Sequence, residues 1–394
     1  MLRNLGLALV SLGARIPAIN LRFGLKARIY GPWEMKDRLW FHGASLGECR
    51  VLCELAKRLP HIPVFLTTQK AEIAEWLQWN APAQVKVGLA PLDHPHVLQT
   101  LFAQGLPKAL VLGEHEVWPC WLEACHAKKI PVAIVSGRMT AKAEARWSFA
   151  KNRLRKCLQQ IDIFWLQTLA DAERYIRYGA ENVRVAGNWK WLSFEGHEDA
   201  QWDDRLVDLA LISVHREEWK FLGDGILKLV EFGSCVVVVP RVPAESKWFT
   251  QKLTKLGVPC CVWPELKRGH VSIVSEFGLV PAVLKESHLA FVGGSFMISG
   301  VHNVREPLTQ LVPVLVGPRQ GTETSEILKL EQQGVARVIK NLTDLCIGNE
   351  GRDLWLPGWY PWAAYLRITN ATGIQKNEAE QGFVEFKQWI DRVI

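Results

Sequence analysis

Residues 291–307 read FVGGSFMISGVHNVREP: an apolar strand end, a glycine-rich loop, and a helix start carrying His302, Asn303 and Glu306. Gly293 and Gly294 let the backbone turn and approach a ligand closely, and N–H groups at a helix start carry partial positive charge that suits a phosphate. Glu306 follows Asn303 by three residues, so one face of a first helical turn presents both. The other reading is an ordinary βα turn in which Ser295 and Asn303 serve only as helix caps.

Outward from this segment, short apolar runs alternate with helix-period stretches. Runs at 39–42, 64–68, 109–112, 132–135, 163–166 and 183–185 predict strands, and helices are predicted at 49–59 and 70–79. The polar stretch SFEGHEDAQWDD at 193–204 predicts a linker, after which strands are predicted at 210–214, 236–239, 271–274, 289–292, 314–316 and 336–338. Such βα repetition predicts parallel sheets. A length of 394 residues suits two domains. The expected division is a basic, apolar N-terminus at 1–32, Rossmann-like domains at 33–192 and 205–355, and a helical segment at 356–394 returning to the first domain. Two such domains would face a central cleft, with ligands at the carboxyl ends of the strands.

Apolar residues at 48% and charged residues at 22% describe a folded chain with ample core. The formal charge of +7 is concentrated at one end, where residues 1–33 hold Arg3, Arg15, Arg22, Lys26 and Arg28 and no acid. The uncharged run at 4–14 is shorter than the roughly 20 residues a spanning helix needs. This N-terminus is expected to lie on a membrane surface, the alternatives being a helix packed on the domain or a signal sequence. An apolar, basic terminus suits anionic lipid and not nucleic acid. Nine cysteines without a CxxC pair fit neither a disulfide framework nor a zinc ribbon, and point to a cytosol-facing chain. His94 and His96 lack a third ligand in view, so no metal is expected. Core filling accounts for most of the eighteen tryptophans.

The first predicted strand runs into His42-Gly-Ala-Ser-Leu-Gly-Glu48 and then a helix. A carboxylate there can act as general base on a hydroxyl within hydrogen-bond reach; alternatively Glu48 is a favourable first-turn charge, with Ser45 as cap. The loop resembles the HAxSxGE motif of the transferases of 3-deoxy-D-manno-oct-2-ulosonic acid (Kdo), which move that sugar from its CMP-activated form to lipid A precursors. Further segments resemble the family's motifs in order: PLDHP at 91–95, EHEVWP at 114–119, PVAIVSGR at 131–138, GNWK at 187–190, VPRVP at 239–243 and the 291–307 segment itself.

The resemblance implies an α/β GT-B glycosyltransferase, with an acceptor site in the first domain and a nucleotide-sugar site in the second. It implies an inverting transfer of Kdo from CMP-Kdo to a lipid A precursor in lipopolysaccharide core synthesis, with Glu48 as general base. Ser45, Gly47, Glu114, Glu116, Arg138 and Lys190 would bind substrate. Arg241, Gly293, Gly294, Ser295, His302, Asn303 and Glu306 would bind the nucleotide, with Glu306 on the ribose. Lys190, Arg138 and Arg305 are candidates for the cation that meets the sugar carboxylate. No cofactor or metal is required on this reading, the location is the cytoplasmic face of the bacterial inner membrane, peripheral or monotopic, and no oligomeric state is assigned. The chain departs from the pattern at Val242, Ser275, Leu279 and Val301. Competing classes are a GT-B transferase or epimerase using a UDP-sugar or another CMP-ulosonic acid, and a non-catalytic nucleotide-sugar binder. The retained Glu48 argues against the latter.

Overall fold

Apolar runs buried along their whole length, such as Leu39–His42, Val64–Thr68 and Ala109–Gly113, can form only strands covered on both faces. The computed structural model describes residues 25–194, 202–348, 351 and 353–394. Its first sheet comprises β1 (Leu39–His42), β2 (Val64–Thr68), β3 (Val85–Leu89), β4 (Ala109–Gly113), β5 (Val132–Gly137), β6 (Ile163–Leu166) and β7 (Val183–Val185). Its order is β3-β2-β1-β4-β5-β6-β7, with every pairing parallel. The second comprises β8 (Leu209–Val214), β9 (Val236–Pro240), β10 (Cys260–Val262), β11 (Val271–Ile273), β12 (Ala290–Val292), β13 (Val314–Val316) and β14 (Ala336–Val338), ordered β10-β11-β9-β8-β12-β13-β14 and again all parallel. Strand order reverses between β1 and β4 in one sheet and between β8 and β12 in the other. Those reversals open crevices at the carboxyl ends of the strands.

Two edge strands, β3 and β10, escape the sequence reading. An edge strand needs only one covered flank, so VKVGL and CCV are short and half-exposed. The helix after β1 starts at Leu46, three residues earlier than the apolar period suggests, because Ser45 caps it.

The chain divides into two compact units, one holding the described residues up to Phe194 together with Gln375–Ile394, the other running to Ile374. The 356–394 segment is therefore split, which corrects the expectation that all of it joins the first domain. The helix Pro361–Val393 runs through the division. In the first unit its end is held by aromatic packing: Phe386 lies 5.5 Å from Trp165 and 5.7 Å from Trp189 between ring centroids. Arg58 adds an ion pair to Glu380 at 2.7 Å. Trp40, Phe65, Leu110, Ile134 and Phe164 form the body of this unit's core, and Leu211, Val238, Phe249, Phe291 and Leu315 that of the second.

The N-terminus expected to lie on a membrane surface, and the linker, fall mostly outside the described residues. The helix Leu25–Tyr30, with Ile29 buried, is the described part of the former. Among the described residues no helix is long and apolar enough to cross a membrane. None of the nine cysteines is bridged. His94 caps the helix Pro95–Ala103 through Nδ1, which accepts the His96 N–H at 3.2 Å.

The sharpest steric demand lies where β12 ends. A methyl group on Gly293 would sit 2.3 Å from the Ser213 carbonyl oxygen and 2.6 Å from Val214 Cα, backbone atoms of β8 that cannot swing aside. Gly293→Ala is expected to cost about 2–3 kcal/mol in urea unfolding, because β8 and β12 must separate to admit it.

Candidate functional site

Ser45, extended at φ −110°, caps the helix Leu46–Lys57 and accepts the Glu48 N–H at 3.3 Å. The Glu48 side chain turns back over the cap, where Ser45 Oγ donates to Oε1 at 2.7 Å and the Ala44 N–H donates to Oε2 at 2.9 Å. This is a variant of the capping box, with the carboxylate at the third helical position. Gly113 at the end of β4 brings its backbone against the same side chain: a methyl group there would lie 3.4 Å from Glu48 Cβ. Glu48 is 8% exposed. Burial, aided by the charges of Glu114 and Glu116, raises its pKa from 4.5 to about 7 against the opposing pull of the Ser45 and Ala44 hydrogen bonds.

Glu114 and Glu116 follow β4 across the strand-order reversal. Glu114 occupies the left-handed region at φ 46°, a conformation that costs a residue with a Cβ about 1 kcal/mol or more. Its carboxylate receives Arg138 Nη2 at 2.7 Å and Lys190 Nζ at 2.8 Å. Arg138 and Lys190, read from the sequence as partners for a sugar carboxylate, are thus gathered on Glu114. Lys190 also overhangs the start of the Glu48 helix, since a methyl group on Gly47 would lie 3.5 Å from its Cε. Glu116 accepts the Trp118 indole N–H at 2.7 Å and lies 3.4 Å from His42 Nε2. The Thr67 hydroxyl accepts from Trp40 Nε1 and donates to the Phe41 carbonyl, so the His42 Nδ1 contact at 3.0 Å is a donation by the ring. Burial drops the pKa of His115 to about 4, and its Nδ1 meets the Tyr175 hydroxyl at 2.9 Å. Asp93 of the PLDHP segment is structural: Oδ1 accepts the N–H groups of Cys120 and Trp121 at 2.8 and 3.1 Å, capping the helix Pro119–Ala127.

In the second unit the organising residue is one the sequence reading passed over. Glu218 is fully buried, and its carboxylate accepts N–H groups from His215 at 3.1 Å, Gly294 at 2.9 Å and Phe296 at 3.2 Å. The Gly293 N–H goes to the Ile212 carbonyl, and Ser295, also fully buried, donates Oγ to the Val292 carbonyl. The N–H groups of Gly293, Gly294 and Phe296 are therefore engaged within the unit, so Gly293 and Gly294 do not offer theirs to a phosphate as expected. What the loop supplies is shape. Gly294 at φ 80° leaves room for His302, whose Nε2 would lie 2.9 Å from a methyl group placed there.

His302 shares a contact of 2.9 Å between its Nε2 and that of His215, so one ring donates and the other accepts. Burial, Arg241 and His215 together lower the His302 pKa to about 4. Arg241 is exposed, and its N–H donates to the Val214 carbonyl, which keeps it beside the end of β8. Asn303 caps locally, with Oδ1 accepting the Arg305 N–H at 3.2 Å. Arg305 is withdrawn from the candidates for the sugar carboxylate: it pairs with Glu323 and Glu326, and that pairing raises its pKa further. Glu306 lies half-buried in the five-residue helix Arg305–Thr309.

A pattern in the sequence does point to Glu218. Like Glu48, it stands in the first turn after an apolar strand, behind a capping residue. Among the described residues no group of three or more His, Cys, Asp or Glu side chains is placed to hold a metal ion. A cavity of about 790 Å³ in the second unit lies at the amino ends of its strands, lined by Asp208, Cys235, His288 and Trp355, and so away from the Gly293 loop.

Two all-parallel Rossmann-like units, with carboxylates and cations at both strand-order reversals, define a protein of the GT-B fold class. A putative UDP-N-acetylglucosamine 2-epimerase from Listeria monocytogenes has the same fold, with a TM-score of 0.55 at 13% identity over 91% of this chain and 97% of that one. Residues 18–193 match the family model described as 3-deoxy-D-manno-octulosonic-acid transferase (kdotransferase). The 3-deoxy-D-manno-octulosonic acid transferase of Chlamydia pneumoniae is 30% identical over 325 residues, 76% of this chain and 73% of that protein. The one from Aquifex aeolicus is 28% identical over 79% of this chain and 84% of that protein. The chain belongs to the 3-deoxy-D-manno-octulosonic acid transferase family.

The raised pKa of Glu48 also acts on stability. Folding favours its protonated form, so that contribution is complete below about pH 4.5, falls as pH rises to about 7, and stays lost above. A glutamine carries no charge and can still accept the Ala44 N–H with its oxygen while its amide donates to Ser45 Oγ, reversing that one bond. Glu48→Gln is therefore expected to be more stable than the parent by up to about 3 kcal/mol near pH 8, with the difference vanishing near pH 4, as read from urea unfolding at both values.

Proposed function

We propose that this enzyme transfers Kdo from CMP-Kdo to a hydroxyl of a lipid A precursor, with inversion and with Glu48 as the general base. The carrying observation is the Glu48 carboxyl. It is pinned by Ser45 and Ala44, set beside Glu114 and Glu116 at a strand-order reversal, and has its pKa raised to about 7. A base in that range takes a proton near neutral pH more readily than an ordinary carboxylate, yet is substantially ionised.

In the proposed step the acceptor oxygen bonds to the anomeric carbon as Glu48 takes its proton. The carbon–oxygen bond to the CMP phosphate breaks, and the electron pair leaves on that phosphate. Arg241 is assigned to the leaving phosphate and Glu306 to the ribose hydroxyls. His302, its pKa lowered to about 4, serves as a neutral hydrogen-bonding group there. Lys190 and Arg138, held on Glu114, are assigned to the Kdo carboxylate. Membership of the transferase family supports the sugar. The lipid acceptor, the action of residues 1–32 at the cytoplasmic face of the inner membrane, and the lack of any need for a metal or cofactor are part of the same proposal.

Mass spectrometry of a lipid A precursor incubated with the protein and CMP-Kdo tests it. A product heavier by whole Kdo residues is expected, with no product from UDP-sugars. Glu48→Ala is expected to lower kcat by about 10²–10⁴-fold, and parent kcat to rise with pH through about 7. Full transfer by Glu48→Ala would remove Glu48 from the mechanism.

A further inference from the structure

The segment that leaves β5 carries a surface that the transfer reaction does not use. Residues 145–160 (ARWSFAKNRLRKCLQQ) contain five cations and no acid. They form the end of the helix Ala141–Trp147, the turn Ser148–Ala150 and the helix Lys151–Leu158. The last helix turns Leu154, Cys157 and Leu158 into the core, which leaves Lys151, Arg153, Arg155 and Lys156 exposed. At the turn, between exposed Arg146 and Lys151, stands Phe149, 94% exposed.

Glu144, the one acid of the preceding helix, is taken by Arg174 at 3.4 Å and Arg177 at 2.7 Å. Among the described residues no ion pair reaches Arg146, Lys151, Arg153, Arg155 or Lys156. The stem of Arg155 lies over Gly179, where a methyl group would meet its Cγ at 3.0 Å, so this cation is supported from below. The segment begins seven residues after Arg138, the Glu114 partner, and Arg146 contributes to the lowered pKa of His115. Its Arg146 end therefore lies at the loop side of the first sheet, while Arg155, over Gly179 just before β7, lies toward the amino ends of the strands.

We propose that this cation-ringed Phe149 turn docks the first unit on an anionic lipid bilayer. An aromatic ring held in water at the tip of a turn gains by entering the boundary between headgroups and acyl chains, and cations next to it in the chain on both sides are attracted to lipid phosphates. The contact is separate from residues 1–32. The choice of a bilayer over nucleic acid rests on the lipid-acceptor reading, and the binding itself is measured without any transfer assay.

The test is sedimentation of the full-length protein with vesicles of phosphatidylcholine containing about one-third phosphatidylglycerol, compared with phosphatidylcholine alone. Partitioning onto the anionic vesicles is expected to fall by roughly tenfold or more in Arg153→Glu/Lys156→Glu, and to fall also in Phe149→Ser, with thermal unfolding unchanged in both. Lys151→Gln/Lys156→Gln provides a milder variant, expected to lose part of the binding and to become less sensitive to salt. Variants that partition like the parent would overturn the proposal, as would parent protein that binds neutral vesicles equally well or is stripped from anionic ones by single-stranded RNA. Absence of Kdo transfer with this vesicle binding intact would refute the transfer reading and leave the docking surface standing.

Discussion

Both units depend on one local device, a glutamate at the third position of the helical turn that follows the strand at the order reversal. After β1 it is Glu48, capped by Ser45; after β8 it is Glu218, capped by His215. In each the carboxylate folds back to accept backbone N–H groups that the start of a helix would otherwise leave unpaired. The two differ in what surrounds them. Glu218 is enclosed and, besides the His215 N–H, takes two further N–H groups from the loop after β12, so its carboxylate ties Gly294 and Phe296 to the cap. Glu48 receives two donors, keeps a small exposed edge, and faces two more carboxylates. One arrangement builds a loop and the other leaves an oxygen with chemistry to do.

The charge balance of the first unit follows from that placement. Three buried or half-buried carboxylates stand at one strand-order reversal, but Arg138 and Lys190 both pair with Glu114. Glu48 therefore feels burial and repulsion without a direct cation, and its pKa rises. Glu114 is held in a left-handed backbone conformation that works against folding, as is Ser213 at φ 54° near the end of β8. Strain of this kind at the carboxyl ends of strands is stability given up for the position of a side chain.

Much of this was legible in the sequence because burial on both faces demands continuous apolar runs. VVVVP and LALISV therefore announce their strands, and the ordered motifs announce the class. The edge strands β3 and β10 were not legible, since half-exposed VKVGL and CCV carry no such run. The fold brings Glu48, Glu114, Arg138 and Lys190 together, but spacing along the chain does not reveal that Glu114 collects both cations. The glycine loop misled in a specific way. Its composition suits a phosphate, yet its Gly294 and Phe296 N–H groups go to Glu218, which sits 76 residues away from Gly294 in sequence. Arg305 misled for the same reason, its partners Glu323 and Glu326 being reachable only through the fold.

The central claim is that neighbouring carboxylates and burial hold Glu48 as a base poised near neutral pH. Carbon-13 NMR of protein carrying glutamate labelled at the side-chain carboxyl, with the Glu48 signal assigned by its loss in Glu48→Gln, tests this directly. The account predicts a titration midpoint of about 7, moving down in Glu114→Gln as Arg138 and Lys190 are released toward Glu48. A midpoint at the ordinary value of 4.5 in the parent, unmoved by that substitution, would contradict it.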